Sequence, residues 1–229
     1  MNIYDRSIKL IGENKMKAIN DALVFIVGLG GVGGTALLAM ARSGFRNFVI
    51  MDKDVVDETN LNRQLLYKFN DIGKAKVDAA KANLLEIIPD LEIITINKPF
   101  EYNDIENLKR YDFDIMIDAI DDIDAKVSFV KIANEINVPY ILSLGMANKL
   151  DPSLVKITKL NKTTVDPLAR KLRHNLKENN IDISNIDVVF SNEEPITNSN
   201  ILSSMVMVPS EAGLLICEFA IKTITKNIQ

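Results

Sequence analysis

A short apolar run that ends in a glycine-rich turn constrains the fold more than any other segment of the chain. Residues 21–28 (DALVFIVG) have the length and composition of a buried parallel strand. Residues 28–33 (GLGGVG) have the spacing G-x-G-x-x-G, and residues 35–43 have helical composition. A strand, a tight turn and a helix in this order predict a loop that binds pyrophosphate at a helix N-terminus. The glycines of this loop are Gly28, Gly30, Gly31 and Gly33.

The next apolar run supplies an acidic partner for the glycine loop. This run covers residues 48–51. Asp52 follows it directly and lies 19 residues after Gly33. An acid at the end of the second strand is placed to bind ribose hydroxyls. NAD-dependent dehydrogenases share both features, so these residues predict a nucleotide site without choosing the nucleotide.

Apolar runs and helical segments alternate along the chain, which predicts an α/β fold. We expect a Rossmann-like, mostly parallel sheet with helices on both faces, extended by antiparallel strands in the second half. The predicted strands are 21–28, 48–51, 91–96, 112–120, 138–144, 154–160 and 188–190, and the predicted helices are 35–43, 73–88, 124–136, 166–177 and 209–224. Residues 192–200 are polar and predict a loop. We expect one domain over 1–229, with a nucleotide-binding half (1–150) and a substrate-facing half (151–229).

Composition excludes several classes of function. With 47% hydrophobic and 25% charged residues, the chain is typical of a folded globular protein. A single cysteine excludes an internal disulfide and a four-cysteine zinc site, and a single histidine disfavours a Ser-His-Asp triad. The N-terminus lacks the pattern of a secretory signal, and no run reaches 18 uncharged apolar residues. These features predict a cytoplasmic protein without a membrane segment.

Four short segments resemble the ubiquitin-activating-enzyme superfamily, the ThiF-type adenylyltransferases. Residues 52–64 (DKDVVDETNLNRQ) resemble its signature D-x-D-x-V-x-x-x-N-x-x-R-Q. Residues 72–77 (IGKAKV) resemble its G-x-x-K segment, residues 118–122 (DAIDD) its D-x-x-D segment, and residues 4–6 (YDR) its Y-x-R opening. The segments follow in the order and with the spacing of the family.

The resemblance implies ATP-dependent adenylation of a carboxylate, in which two anions must meet in a site that neutralises charge. It assigns Arg63 and Lys76 to the phosphates, Asn60 to a hydrogen bond beside them and Asp52 to the ribose. Asp121 would bind Mg²⁺ between phosphate oxygens. Asp118, Asp122 and Asp124 compete with it for that role. Arg6 would reach the ATP of a second subunit, as in family dimers.

The second half resembles one branch of the superfamily, the tRNA threonylcarbamoyladenosine dehydratases. Residues 166–173 (DPLARKLR) and 189–193 (VFSNE) carry this resemblance, with Leu144-Gly145 and Leu150-Asp151-Pro152. The resemblance implies activation of the threonyl carboxylate of a modified adenosine in tRNA, followed by ring closure to the cyclic nucleoside. It also allows a sulfur-relay protein as a partner.

A basic stripe on a predicted helix supports an RNA partner. Residues 156–177 contain five lysines, two arginines and one acidic residue, which gives +6 in a chain of net charge −4. Arg170, Arg173, His174 and Lys177 fall on one face of the helix, and Leu168, Leu172 and Leu176 fall on another. We expect Arg170, Lys171, Arg173 and Lys177 to contact tRNA phosphates. The alternative is an ordinary solvated helix face.

Three other functions remain as alternatives. The first is activation of the C-terminal glycine of a ubiquitin-like sulfur-carrier protein, but many such activators use C-x-x-C pairs or a catalytic cysteine. Cys217 lies in the apolar run 213–217, which predicts a buried structural thiol. The second is an NAD-dependent oxidoreductase, against which Arg63, Lys76 and Asp121 argue. The third is a nucleotide-binding scaffold without turnover.

Overall fold

The computed structural model describes residues 3–197 and 203–228, and its centre is one sheet of seven strands. In sheet order the strands are β3 (Glu92–Ile96), β2 (Asn47–Met51), β1 (Leu23–Val27), β4 (Ile115–Asp118), β5 (Tyr140–Ser143), β7 (Asp187–Ser191) and β6 (Val155–Lys159). All neighbouring pairs are parallel except β6 and β7, which are antiparallel. The predicted fold class is therefore confirmed.

Eight α-helices accompany the sheet in the described residues, and both faces of the sheet are covered. The helices are α1 (Asp5–Ile11), α2 (Glu13–Asp21), α3 (Gly31–Ser43), α4 (Lys76–Ile87), α5 (Ile105–Leu108), α6 (Ile123–Glu135), α7 (Pro167–Glu178) and α8 (Met207–Thr225). One apolar core includes buried residues of α2, α3, α4 and α8, and a second includes buried residues of α5, α6 and α7. None of the described helices is long and apolar enough to cross a membrane.

The two halves of the chain share this sheet. β5, from the first half, pairs with β7, from the second, along Ile141↔Asp187, Leu142↔Val188 and Ser143↔Val189. The carboxyl ends of β1, β4, β5 and β7 therefore lie at one edge of the sheet, where ligands bind in open α/β folds.

Some elements depart from the predicted boundaries. α3 begins at Gly31 rather than at residue 35, because its first turn is part of the glycine loop. β4 ends at Asp118, because the following residues leave the sheet to line a cavity. The sequence pattern did not predict α1, α2 or the short helix α5, and α4 begins at Lys76 rather than at residue 73. Of the predicted loop, 192–197 is neither helix nor strand, and 198–200 lie outside the described residues.

The helix α7 forms as the sequence predicts, but its buried face differs from the predicted one at one position. Asp166 caps it by accepting the backbone N–H groups of Leu168 and Ala169 at 2.8 and 3.1 Å. Leu172 and Leu176 are fully buried as predicted, but Leu168 is only partly buried and Ala169 takes its place in the core. Leu168 instead lines a cavity described below.

Close packing between α3 and α8 buries the only cysteine. A Cβ on Gly213 would lie 2.7 Å from the carbonyl oxygen of Val32, so only glycine allows the two backbones to approach so closely. One turn further along α8, Cys217 is 5% exposed, and its Sγ lies 3.6 Å from the Oγ of Ser43. The prediction of a buried thiol is confirmed.

Candidate active site

A cleft of about 620 Å³ lies where β1, β2 and β4 end, and we call it the nucleotide cleft. Most of the residues predicted to bind the nucleotide line it, although they come from distant parts of the chain. They are Gly28, Gly30, Gly31, Asp52, Asn60, Arg63, Lys76 and Asp121. Gly33 and Arg6 do not line it.

The glycine loop is packed so tightly that side chains are excluded. Gly28 has φ +87°, and a Cβ there would lie 2.5 Å from the carbonyl oxygen of Ala119. A Cβ on Gly33 would overlap the carbonyl oxygen of Gly28, so Gly33 packs the helix against the strand rather than facing the cleft. α3 begins at Gly31 beside the cleft. The unpaired N–H groups of its first turn can therefore bind an anion there.

Asp52 stabilises both the glycine loop and the segment after β2. Its Oδ2 accepts the backbone N–H of Leu29 at 2.6 Å, and its Oδ1 accepts that of Asp54 at 2.8 Å. Asp52 is 8% exposed and lines the cleft. Each carboxylate oxygen can accept more than one hydrogen bond, so Asp52 retains acceptor capacity for ribose hydroxyls.

Asn60 is the last residue of a short 3₁₀ turn (Glu58–Asn60) that is capped by Asp57, and Arg63 follows this turn. The Oδ1 of Asn60 accepts the backbone N–H of Asp57 at 3.2 Å, which leaves its amide N–H groups as donors. The Nη1 of Arg63 donates to the carbonyl of Thr59 at 2.8 Å and to the Oδ1 of Asn62 at 2.9 Å. A guanidinium has five N–H donors, so the others are available to an anion.

Lys76 is the first residue of α4 and is buried beside the cleft. Its Nζ donates to the Oδ2 of Asp54 at 3.0 Å. Asp54 is about half exposed and also lines the cleft. The ion pair therefore holds the ammonium at the wall of the cleft.

The four aspartates between residues 118 and 124 have different surroundings. Asp118 is fully buried, and its Oδ2 accepts from Lys126 at 2.8 Å. The Oδ1 of Asp122 accepts the backbone N–H of Ala125 and caps α6. Asp121 and Asp124 are exposed in the cleft wall. Of these two, only Asp121 also lines the adjoining cavity that is described below.

Several residues of the cleft wall received no role from the sequence, and Lys98, Phe100 and Gln64 are among them. Lys98 and Phe100 follow β3, and the general rule that ligands bind beyond the carboxyl ends of parallel strands points to them. Gln64 directly follows Arg63 in the family-like motif. It is 5% exposed, and its Oε1 has no hydrogen-bond partner among the described residues.

A second cavity, of about 540 Å³, adjoins the nucleotide cleft. The two share Gly30, Gly31, Arg63 and 119–121 in their walls. The far wall of the second cavity is built by 143–149, which include the last residue of β5 and the segment after it, and by the start of α7. Asp166 joins these two walls, because its Oδ2 accepts the backbone N–H of Gly145 at 2.9 Å while its Oδ1 caps α7.

The basic residues of α7 do not all face solvent. Arg170, Lys171 and Lys177 are exposed, and Lys171 also lines the second cavity. Arg173 is partly buried and donates to the carbonyl of Thr163 at 3.1 Å, so it is held against the preceding segment. His174 lies 3.3 Å from Glu178 on the exposed face.

Arg6 lies on α1 and is exposed, and it lines neither cavity of its own chain. The described residues contain no cluster of three or more His, Cys, Asp or Glu side chains that could hold a metal ion by themselves.

Comparisons with known proteins agree with this geometry. The chain is 33% identical to a tRNA threonylcarbamoyladenosine dehydratase of Bacillus subtilis, over 99% of this chain and 96% of that protein. It is 30% identical to the dehydratase of Escherichia coli, over 83% of this chain and 73% of that protein. The structure of that E. coli dehydratase, TcdA, in complex with ATP superposes with a TM-score of 0.91 and 27% identity, over 97% of this chain and 93% of the other. The ThiF family profile matches residues 4–228. The resemblance drawn from the sequence motifs is confirmed, and the chain belongs to the ThiF family.

Proposed function

We propose that this enzyme is an ATP-dependent dehydratase that converts threonylcarbamoyladenosine in tRNA to its cyclic form. The observation that carries the proposal is the shared wall of the two cavities, which places Arg63 and Asp121 beside both. ATP occupies the nucleotide cleft, and the modified nucleoside occupies the second cavity. The relatives named above carry this activity in their names, and one of them has been seen with ATP.

The nucleotide cleft supplies positive charge where two anions react. The N–H groups at the start of α3 and the side chains of Arg63 and Lys76 bind the phosphates. Asn60 donates an amide N–H beside them, and Asp52 accepts from the ribose hydroxyls. Each of these groups is held by its own hydrogen bond, which fixes it before the substrate arrives.

The residues present fit a magnesium ion at Asp121. Its carboxylate is exposed in the cleft and makes no hydrogen bond or ion pair within the part of the chain that the structure describes. Mg²⁺ is commonly bound by one or two carboxylates together with substrate phosphates. When bound, it would neutralise phosphate charge as pyrophosphate leaves.

The reaction proceeds in two displacements. A carboxylate oxygen of the threonyl group attacks the α-phosphorus of ATP, the bond to the bridging oxygen breaks, and pyrophosphate leaves. A carbamoyl nitrogen then attacks the acyl carbon, AMP leaves, and the nitrogen loses its proton. The product has lost the elements of water, and AMP has gained the oxygen. The nucleophile belongs to the substrate, so no enzyme thiol is required, which is consistent with the burial of Cys217.

The exposed basic side chains of α7 are proposed to bind the tRNA backbone. Arg170, Lys171 and Lys177 face solvent on the helix whose first residues form the second cavity. A tRNA held by phosphate contacts along α7 would therefore present its modified nucleoside to that cavity. Arg173 acts mainly by anchoring α7, because its guanidinium is bonded to the backbone.

We also propose a homodimer in which Arg6 serves the neighbouring subunit. Arg6 is exposed and lies outside the nucleotide cleft of its own chain, as a role in a partner's cleft requires. A sulfur-relay protein is a further proposed partner, by family resemblance alone. We also propose a cytoplasmic location, which the proposed tRNA substrate supports.

Nucleoside mass spectrometry of tRNA from a deletion strain tests the function. We expect the cyclic nucleoside to disappear and the uncyclised nucleoside to accumulate, and plasmid expression to reverse both changes. Unchanged nucleosides, together with ATP–pyrophosphate exchange that depends on a small carrier protein, would instead support the carrier-activating alternative. Binding of NAD without ATP would support the oxidoreductase.

A further inference from the structure

The second cavity has a buried charged residue that the proposed chemistry does not use, Lys149. Besides Arg63 and Asp121, the charged residues of the cavity wall are Lys149, Asp166 and Lys171. Asp166 is occupied by three backbone N–H groups, and Lys171 is exposed on the surface of α7. Lys149 is 5% exposed, so its charge is enclosed by protein.

The protein supplies only part of the hydrogen bonding that the ammonium of Lys149 can make. Its Nζ donates to the backbone carbonyl of Ser191 at 3.0 Å. It makes no ion pair with any residue in the ranges 3–197 and 203–228. The nearby carboxylate of Glu193 accepts the backbone N–H groups of Leu150 and Asp151 instead. An ammonium has three N–H donors, so two remain for another acceptor.

A buried cation without an ion-pair partner is costly for a protein to keep. Burial lowers the pKa of Lys149, and the charges of Asp166 and Glu193 oppose that shift. The arrangement becomes favourable when an anion enters the cavity and binds the ammonium. Such a contact is stronger in an enclosed site than in water, because little solvent screens it.

The acceptor of the proposed function brings such an anion, since its threonyl carboxylate is ionised until ATP adenylates it. We propose that Lys149 binds the acceptor carboxylate in the second cavity and holds it there before adenylation. This inference rests on the proposed function. It adds a recognition residue in the acceptor cavity to the phosphate-binding cations of the nucleotide cleft.

Affinity for two RNAs tests the role of Lys149. The probes are an anticodon stem-loop that carries threonylcarbamoyladenosine and the same stem-loop with unmodified adenosine. Wild type should prefer the modified RNA. Lys149→Gln keeps a donor for Ser191 but removes the charge, so the preference should fall about 10-fold or more. Affinity for the unmodified RNA and for ATP should not change. Lys149→Arg, which keeps the charge, should retain part of the preference, and Lys17→Gln on α2 should retain all of it.

Three results would overturn the inference. One is a Lys149→Gln variant that keeps the full preference while wild type converts the modified RNA, and this result leaves the proposed function intact. Another is an equal loss of affinity for both RNAs, or a loss of ATP binding, because either shows that Lys149 only supports the fold. The third is a wild-type protein that neither prefers nor converts the modified RNA, which overturns the proposed function as well.

Discussion

The Nζ of Lys76 lies 3.0 Å from the Oδ2 of Asp54 at the wall of the nucleotide cleft. The backbone N–H of Lys76 also donates to the carbonyl of Asp54 at 2.9 Å, so the start of α4 is joined twice to the segment after β2. Lys76 is buried and Asp54 is about half exposed. The lysine is thus held in place by a carboxylate that solvent can reach, and the phosphates of ATP can compete for its charge.

Substitution of a basic side chain or of Asp121 in the nucleotide cleft should strongly slow adenylation. We expect Lys76→Ala, Arg63→Ala and Asp121→Ala each to lower AMP formation about 100- to 1,000-fold, because each acts where phosphate charge develops. AMP is measured by chromatography with modified tRNA as substrate, and circular dichroism checks that the variants are folded. Lys68→Ala, at an exposed position outside the cleft, is the matched control. Near-normal rates in all three variants would show that the assignment is wrong.

The buried pair between Asp118 and Lys126 should be essential for stability. Both side chains are fully buried, and the Nζ of Lys126 also donates to the carbonyl of Ser143 at 2.6 Å. Burial raises the pKa of Asp118, and Lys126 opposes that shift. Lys126→Met leaves a carboxylate buried without a partner, so the free energy of unfolding should fall by about 3–5 kcal/mol.

Urea unfolding measures this loss, and a double variant separates its causes. Asp118→Leu combined with Lys126→Met removes both charges, and it should recover part of the stability lost in the single variant. A single variant that is as stable as wild type would mean that Asp118 finds another partner or takes up a proton without cost.

Local sequence patterns were enough to predict most of the residues that come together in the wall of the nucleotide cleft. The glycine loop, Asp52 and the segment that carries Asn60 and Arg63 each depend on residues that are close in the chain. Their positions also follow from the general rule that parallel strands end at the same edge of a sheet. The boundaries of α3 and β4 were less accurate, because the chain changes from a strand or a turn to a cavity wall within one or two residues.

Other features depend on contacts between distant segments, which sequence periodicity does not reveal. The sequence pattern does not distinguish Asp118 from Asp121. The structure does, because Asp118 is buried in an ion pair with Lys126 and Asp121 is exposed in the cleft wall. Arg173 has the helical spacing of the exposed basic residues, but its guanidinium donates a hydrogen bond to the carbonyl of Thr163 and is partly buried. Lys149 belongs to none of the motifs that were recognised in the sequence. Only the structure shows that it lies in a cavity wall.

The exposed positions of α7 should control affinity for tRNA. Arg170→Glu with Lys177→Glu should weaken tRNA binding and leave ATP binding unchanged. Each lost phosphate contact should reduce the slope of log affinity against log salt by about 1. Arg173 is left intact, because its substitution would disturb the packing of α7. Filter binding over a series of salt concentrations measures the slope, and an unchanged slope would make the stripe an ordinary solvated face.

The last prediction concerns Cys217, because it separates direct attack by the substrate from a thioester route. The thiol is 5% exposed, and burial raises its pKa, with the Ser43 hydroxyl opposing the shift in part. Less thiolate is therefore present at a given pH than in a free cysteine, and a thiolate is the reactive form.

Iodoacetamide should modify Cys217 slowly in the folded protein and rapidly after unfolding in urea. Cys217→Ala should keep most of the dehydratase activity and lose about 1 kcal/mol or more of stability, because it leaves a small cavity between α8 and α3. Product is measured by nucleoside mass spectrometry, and gels without reducing agent should show no enzyme–RNA adduct. A folded Cys217→Ala variant that makes AMP but no cyclic nucleoside would mean that the thiol takes part in the reaction.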